Sequence, residues 1–215
     1  MNLNKIIVEE IKSFLDEAAM KISDLPEDTA LFIQKWDTGY EYTLYNPEMD
    51  KVFAYLATSQ RDRFGDYPYV QAVAADKGYG PLIYELAMMH SYEMNTGLMP
   101  SRYGDITEKA RRVWEKFYNR GDVNKTTLDL NDDNFRFDII VGDEEIPKDE
   151  RKEFWDESTD DEKRNLLIFN TVYNINPTPE YYRLRDKSKE FDRKIIRRAF
   201  DVGDELWRKA YDMVA

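Results

Sequence analysis

Between Tyr69 and Ser91 the chain reads YVQAVAADKGYGPLIYELAMMHS, and the rest of the chain is organised around this run. Tyr69 to Ala75, rich in Val and Ala, has the character of a strand. Asp76-Lys77-Gly78-Tyr79-Gly80 breaks it, and Pro81 restarts the chain with helical spacing. Leu82, Ile83, Leu86, Ala87 and His90 then share one helix face. Proline suits the first helical position, where a missing N–H costs little. The product is a strand, a tight glycine turn and a helix whose first N–H groups point back over the strand end. Such a helix start attracts anions, phosphates above all, through its orphan donors and the positive end of its dipole. The spacing excludes the nucleotide P-loop, because no Gly-Lys-Ser/Thr follows. It excludes the dinucleotide G-x-G-x-x-G as well, since only Gly78 and Gly80 occur.

The rest of the chain supplies a sheet and helices around this unit. Residues 3–22 predict an amphipathic helix, with Leu3, Ile6, Ile7, Ile11, Phe14, Leu15, Ala18 and Ile22 on its apolar face. It either packs on its own domain or serves as an arm that docks on a partner. Strand-like segments follow at 30–36, 40–45 and 52–58. Asp37-Thr38-Gly39 and Asn46 to Asp50 form the turns between them. With 69–75 these make an antiparallel meander. Residues 97–104 have room for a short strand, and Asp105-x-x-Glu108 resembles a capping box for the helix EKARRVWEKFYNR. Phe135 to Val141 reads as a strand. Thr159-Asp160-Asp161-Glu162 is a second capping box, opening a segment through Leu166, Phe169, Val172 and Tyr173; helix is favoured, with a strand as the alternative. Thr178-Pro179-Glu180 starts a long C-terminal helix that Gly203 breaks or bends.

Charge and composition narrow the function. A net charge of −12 argues against direct, sequence-independent nucleic-acid binding, which needs a basic surface. Hydrophobic residues at 42% and aromatics at 14% are enough for a packed core despite the charge. There is no cysteine, so disulfides, thiolate metal sites and cysteine nucleophiles are excluded, and a cytoplasmic or virion setting fits best. No apolar run approaches the ~20 residues of a membrane span. One histidine, His90, rules out designs that need several imidazoles, and burial in the core is its expected place. Asp129, Asp132 and Asp133 lack EF-hand spacing, and no metal site is expected.

Taken in order, meander, glycine turn, helix, short strand and helix, residues 30–123 resemble the core of the GNAT (general N-acetyltransferase) superfamily. Its pyrophosphate loop, Arg/Gln-x-x-Gly-x-Gly/Ala, is matched by Ala75-Asp76-Lys77-Gly78-Tyr79-Gly80 in both glycines but not in the leading Arg or Gln. The segment ARRVWEKFYNRGDV resembles the family's fourth-helix pattern. The resemblance implies an α/β (α+β) fold, a mixed and mostly antiparallel sheet flanked by helices, with extra helices at both ends. Residues 1–25 would form an N-terminal helix, 26–123 the GNAT-like core and 124–215 a mostly helical extension. Acetyl-CoA is the implied cofactor, held by Val73, Ala75, Lys77, Gly78, Tyr79 and Gly80. In the family an amine attacks the thioester directly, and a fourth-helix tyrosine protonates the leaving thiolate. Trp114 stands at that position here; Tyr118, one turn later, is the candidate substitute, and Glu41 the candidate relay for the amine proton. The expected activity is N-acetyl transfer to an amine, or acyl-CoA binding. The alternative is a non-catalytic protein on the same scaffold, joining a protein partner or a homo-oligomer through its terminal helices. The leader NKIIVEEI resembles the openings of tailed-phage proteins, which makes a virion component one form of that alternative.

Overall fold

The computed structural model describes residues 19–60, 67–101, 108–133, 135–137 and 146–212, with side chains to 209. The fold is mixed α+β. Strands β1 (Ala30–Trp36), β2 (Gly39–Asn46), β3 (Lys51–Ser59) and β4 (Tyr69–Ala75) form an antiparallel sheet in the order β1-β2-β3-β4. The row Ile33, Tyr42, Leu56, Val73 runs across it. Because alternate side chains leave opposite faces, this row and Leu31, Leu44 and Ala54 look one way, while Phe32, Thr43, Tyr45 and Tyr55 look the other.

Helix α1 (Gly80–Glu93) lies on the first face. Leu82, Ile83, Leu86 and Ala87 are buried there as the apolar spacing predicts, but Tyr84, Met88 and Met89 are buried too. The helix is covered nearly all round, because α2 (Glu108–Asn119) and strand β6 (Thr171–Asn174) close over its outer side. Each fully buried Leu or Ile in it contributes roughly 1.5–3 kcal/mol. Leu98 bonds Tyr173 in both directions, at 2.8 and 2.9 Å, and Met99 pairs in parallel with Tyr69. Of the short strand expected at 97–104, residues 102–104 lie outside the described residues, and Leu98 and Met99 form a link between β4 and the small sheet of β5 (Asn124–Thr127) and β6.

Residues beyond 123 are part of this core. Phe169, Tyr173, Tyr181 and Leu184 are buried in the same cluster as Tyr42, Leu56 and α1. The Thr159 cap forms as expected: its Oγ1 accepts from the Glu162 amide and the Glu162 carboxylate accepts from the Thr159 amide. The helix it opens, α4 (Asp160–Phe169), follows α3 (Arg151–Glu157) and ends earlier than the apolar run suggests. Val172 and Tyr173 are strand residues, since the Leu98 backbone supplies a long-range partner no local pattern announces.

The long C-terminal helix is two helices, α5 (Pro179–Lys187) and α6 (Arg193–Asp212). The break falls at Ser188–Asp192, where the Asp192 carboxylate caps α6 by accepting from the amides of Lys194 and Ile195. Gly203 does not break the helix; it lies inside α6. This helix covers the second face of the sheet, packing Ala199 with Ile195, Ile196 and Phe200 against Phe32 and Tyr45. Residues 135–137 are irregular, and the remainder of the strand expected at 135–141 lies outside the described residues. So do the leader helix to residue 18 and the cap at Asp105.

Candidate functional site

The glycine turn is built from the end of β4. The Asp76 amide donates to the Phe53 carbonyl at 2.9 Å, continuing the β3 ladder by one bond. The Tyr79 amide then donates to the Asp76 carbonyl at 3.0 Å and closes a four-residue turn. Gly78, its third residue, has φ 86°, a left-handed conformation that disfavours any side chain. The Tyr79 ring stacks on Phe53 with centroids 4.9 Å apart, and Lys51 Nζ sits 2.9 Å from the Asp76 carboxylate. One further bond, from the Met20 amide to the Gly78 carbonyl at 3.1 Å, ties the entering chain to the turn.

Of the backbone donors expected to face a diphosphate, Tyr79 is therefore used by the turn itself and Pro81 has none. The amides of Gly78 and Gly80 make no hydrogen bond among the described residues. A Cβ placed on Gly80 would meet nothing within 4 Å, so the approach to that amide is open. Val73 is half-buried against the α1 side, while Ala75 and Lys77 are exposed. The outer edge of β4 is bonded to Met99 only at its start, through Val70 N–H to the Met99 carbonyl at 3.0 Å. From Gln71 to Ala75 that edge has no backbone partner among the described residues. Among the described residues β4 is thus joined to Met99 at its start and ends at the glycine turn.

The two proposed catalytic side chains are not brought together. Tyr118 lies in the last turn of α2 and packs on the α1 side of the sheet, with Lys125 of β5 bonding its carbonyl at 2.9 Å. Glu41 neighbours Tyr42 on β2 and so faces α6, in a groove of about 620 Å³ lined also by Trp36, Phe200 and Asp204. There Glu41 and Asp204 both meet the Tyr55 phenol; burial first, and then the two carboxylates, push that phenol's pKa upward. Trp114 is sealed among Tyr84, Phe117 and Tyr173, at 1% exposure.

The local sequence names no partner for His90, and the fold supplies several. Its Nδ1 lies 2.9 Å from the Tyr42 hydroxyl, and the Tyr40 ring packs edge-on at 4.8 Å. One turn on, Glu93 accepts from Tyr181 at 2.6 Å and from Arg185 at 2.6 and 2.8 Å. The i,i+3 spacing of His90 and Glu93, and the i,i+4 spacing of Tyr181 and Arg185, were the signal available for this polar seam. Burial depresses the His90 pKa; the Glu93 charge works against that, and Arg185 adds to it. At Glu93 burial opposes ionisation, yet the bonds from Tyr181 and Arg185 win and hold the carboxyl low. A depressed histidine takes up a proton more readily in the unfolded chain, so stability is complete above about 6.5 and falls as pH drops toward the folded value. As the chain holds one histidine, melting temperature should decline below that pH in the native protein and stay nearly level in His90→Asn until the carboxylates titrate. Parallel melts of the two proteins across this range check it.

Among the described residues no helix is long and apolar enough to cross a membrane, and no group of three or more His, Asp or Glu is placed to hold a metal ion. No family model, curated protein or solved structure matches the chain.

Proposed function

We propose that the chain binds an acyl-CoA thioester along the edge of β4 and acts as a GNAT-like N-acetyltransferase on an amine. The observation that carries this reading is the glycine turn, where the Gly78 and Gly80 amides have no partner among the described residues at the end of β4. The diphosphate rests on these two amides and the start of α1, with Lys77 adding charge attraction. The thioester arm runs back along Val73 toward the Tyr69 end, roughly 20 Å of strand. There the amine nitrogen attacks the acetyl carbonyl, the C–N bond forms and the C–S bond breaks. Tyr118 gives the departing thiolate its proton, and water takes the proton lost by the amine. Glu41, facing α6, has no part in this scheme.

Melting the protein with and without acetyl-CoA tests the binding step. Ligand at 100 times its Kd stabilises by about 2.7 kcal/mol, roughly 5–10 °C for a chain of this size. Gly78→Glu, which sets a carboxylate against the diphosphate, should remove that shift. An unchanged melt at millimolar acetyl-CoA would exclude coenzyme binding and acetyl transfer together.

One observation favours a second reading: Trp114, where the resemblance expects an acid, is buried in an aromatic cluster. On that reading the scaffold persists without catalysis and works in an assembly, such as a virion, through its terminal segments. Coenzyme-independent melts together with a stable oligomer at micromolar concentration would select it.

A further inference from the structure

Arg151 opens α3 and is only 5% exposed, yet no carboxylate pairs with its guanidinium among the described residues. Its contacts are neutral. Nε reaches the Ile146 carbonyl at 3.4 Å, and Nη1 donates to the carbonyls of Leu130 at 3.1 Å and Asp132 at 2.9 Å. The guanidinium carbon lies 5.8 Å from the Phe137 ring centroid. The Asp133 carboxylate feels this charge without bonding to it, and a buried charge with no directly paired carboxylate is incompletely compensated. The remaining nitrogen, Nη2, has no hydrogen bond among the described residues. It is not sealed off either, because Thr43 Oγ1 is the one fully buried side-chain atom without a partner among the described residues. Arg151 lines a pocket of about 260 Å³ with Asp133, Ile146, Pro147 and Lys148.

We propose that this pocket is a site for a small oxyanion, separate from the glycine turn. The three carbonyl bonds hold the guanidinium fork in place before any ligand arrives, so little ordering remains for binding to impose. Lys148, half-exposed and paired with Asp133 at the mouth, is the second cation. Among the described residues the pocket is lined by these two cations and one carboxylate, on a chain whose net charge is −12. An oxyanion accepts from Nη2 and draws Lys148 away from Asp133, adding the directly bonded anion that Arg151 has not got among the described residues. Phosphate and carboxylate groups share this chemistry, and the fork fits either.

Titrations with inorganic phosphate and, separately, with acetate, at constant ionic strength in chloride, test it. Saturable binding of either anion is expected, and the one that binds names the ligand's anionic group. A charge-assisted bond is worth enough that Arg151→Lys should weaken binding by about tenfold or more, and Lys148→Gln by roughly 3- to 10-fold. Lys148→Gln leaves the carbonyl clamp intact, so its effect is free of any folding defect. Gly78→Glu should leave phosphate affinity unchanged; if it abolishes binding, the anion sits at the glycine turn and the proposal falls. No saturation by either anion at about 10 mM, or affinity indifferent to both Arg151→Lys and Lys148→Gln, also overturns it.

Discussion

Trp114→Ala is expected to destabilise the protein by about 3–5 kcal/mol, the range for deleting a large buried aromatic. The indole is 1% exposed and meets Tyr84 edge-on at 5.2 Å, Tyr173 at 5.0 Å and Phe117 at 6.0 Å. Three rigid rings cannot collapse into the space left, so the cavity persists and its cost adds to the lost transfer energy. Against a typical total of about 5–15 kcal/mol, this is a large fraction, a fall of roughly 6–20 °C in Tm. Trp114→Phe keeps a ring in the cluster and should lose much less. Trp114→Tyr restores the phenol that the GNAT resemblance expects, and no gain in acetyl transfer should follow, because the ring is enclosed by the core. Thermal melts and an acetylation assay on these three variants check both halves. A rise in transfer with Trp114→Tyr would show that the enclosed position does reach the thioester.

Gly203→Leu should be nearly as damaging, and for a reason opposite in sign to helix propensity. In an exposed helix, replacing glycine adds about 1 kcal/mol of stability. Here a Cβ on residue 203 would lie 2.8 Å from Tyr55 Cδ2 and 2.9 Å from Thr43 Oγ1. Both atoms belong to side chains rooted in the central strands and buried under α6, so neither has room to retreat. Alanine should cost about 1–3 kcal/mol from the clash, partly offset by propensity. Leucine adds three more carbons at the same point and should lift α6 from the sheet. Losing this cover exposes Phe32 and Tyr45 on the second face. The expected result is a loss of about 3 kcal/mol or more, with protease cleavage within α6 before global unfolding. Gly203→Leu melting at or above the native temperature would contradict the close approach. Arg198, bidentate to Asp50 at 3.1 and 3.0 Å, also ties α6 to the sheet. It is exposed, and exposed pairs contribute little, so it should not rescue the variant.

The elements legible in the sequence are those whose cause lies within a few residues. Thr159 and Glu162 cap each other across three positions, so the start of α4 needed no tertiary information. The meander was equally readable, because alternation and turn residues at 37–39 and 46–50 are local. β5 (Asn124–Thr127) was not. Its four residues, Asn-Lys-Thr-Thr, are polar and exposed, and it is a strand only because β6 bonds to it. The site was partly legible in the same way. Gly78 needs its left-handed φ inside a turn of four residues, and the motif announced that. The order of elements did not say that Glu41 and Tyr118 point to opposite sides of the sheet.

Local chemistry in the chain was sufficient for the meander, the glycine turn at Gly78 and the helix that follows, since turn, cap and periodicity act over short separations. Only the folded molecule assigned Val172 and Tyr173 to a strand, buried α1 on nearly every side and set Gly203 against Tyr55. Each of those outcomes depends on a partner far along the chain, and packing against such a partner outweighs the roughly 1 kcal/mol that local preference supplies.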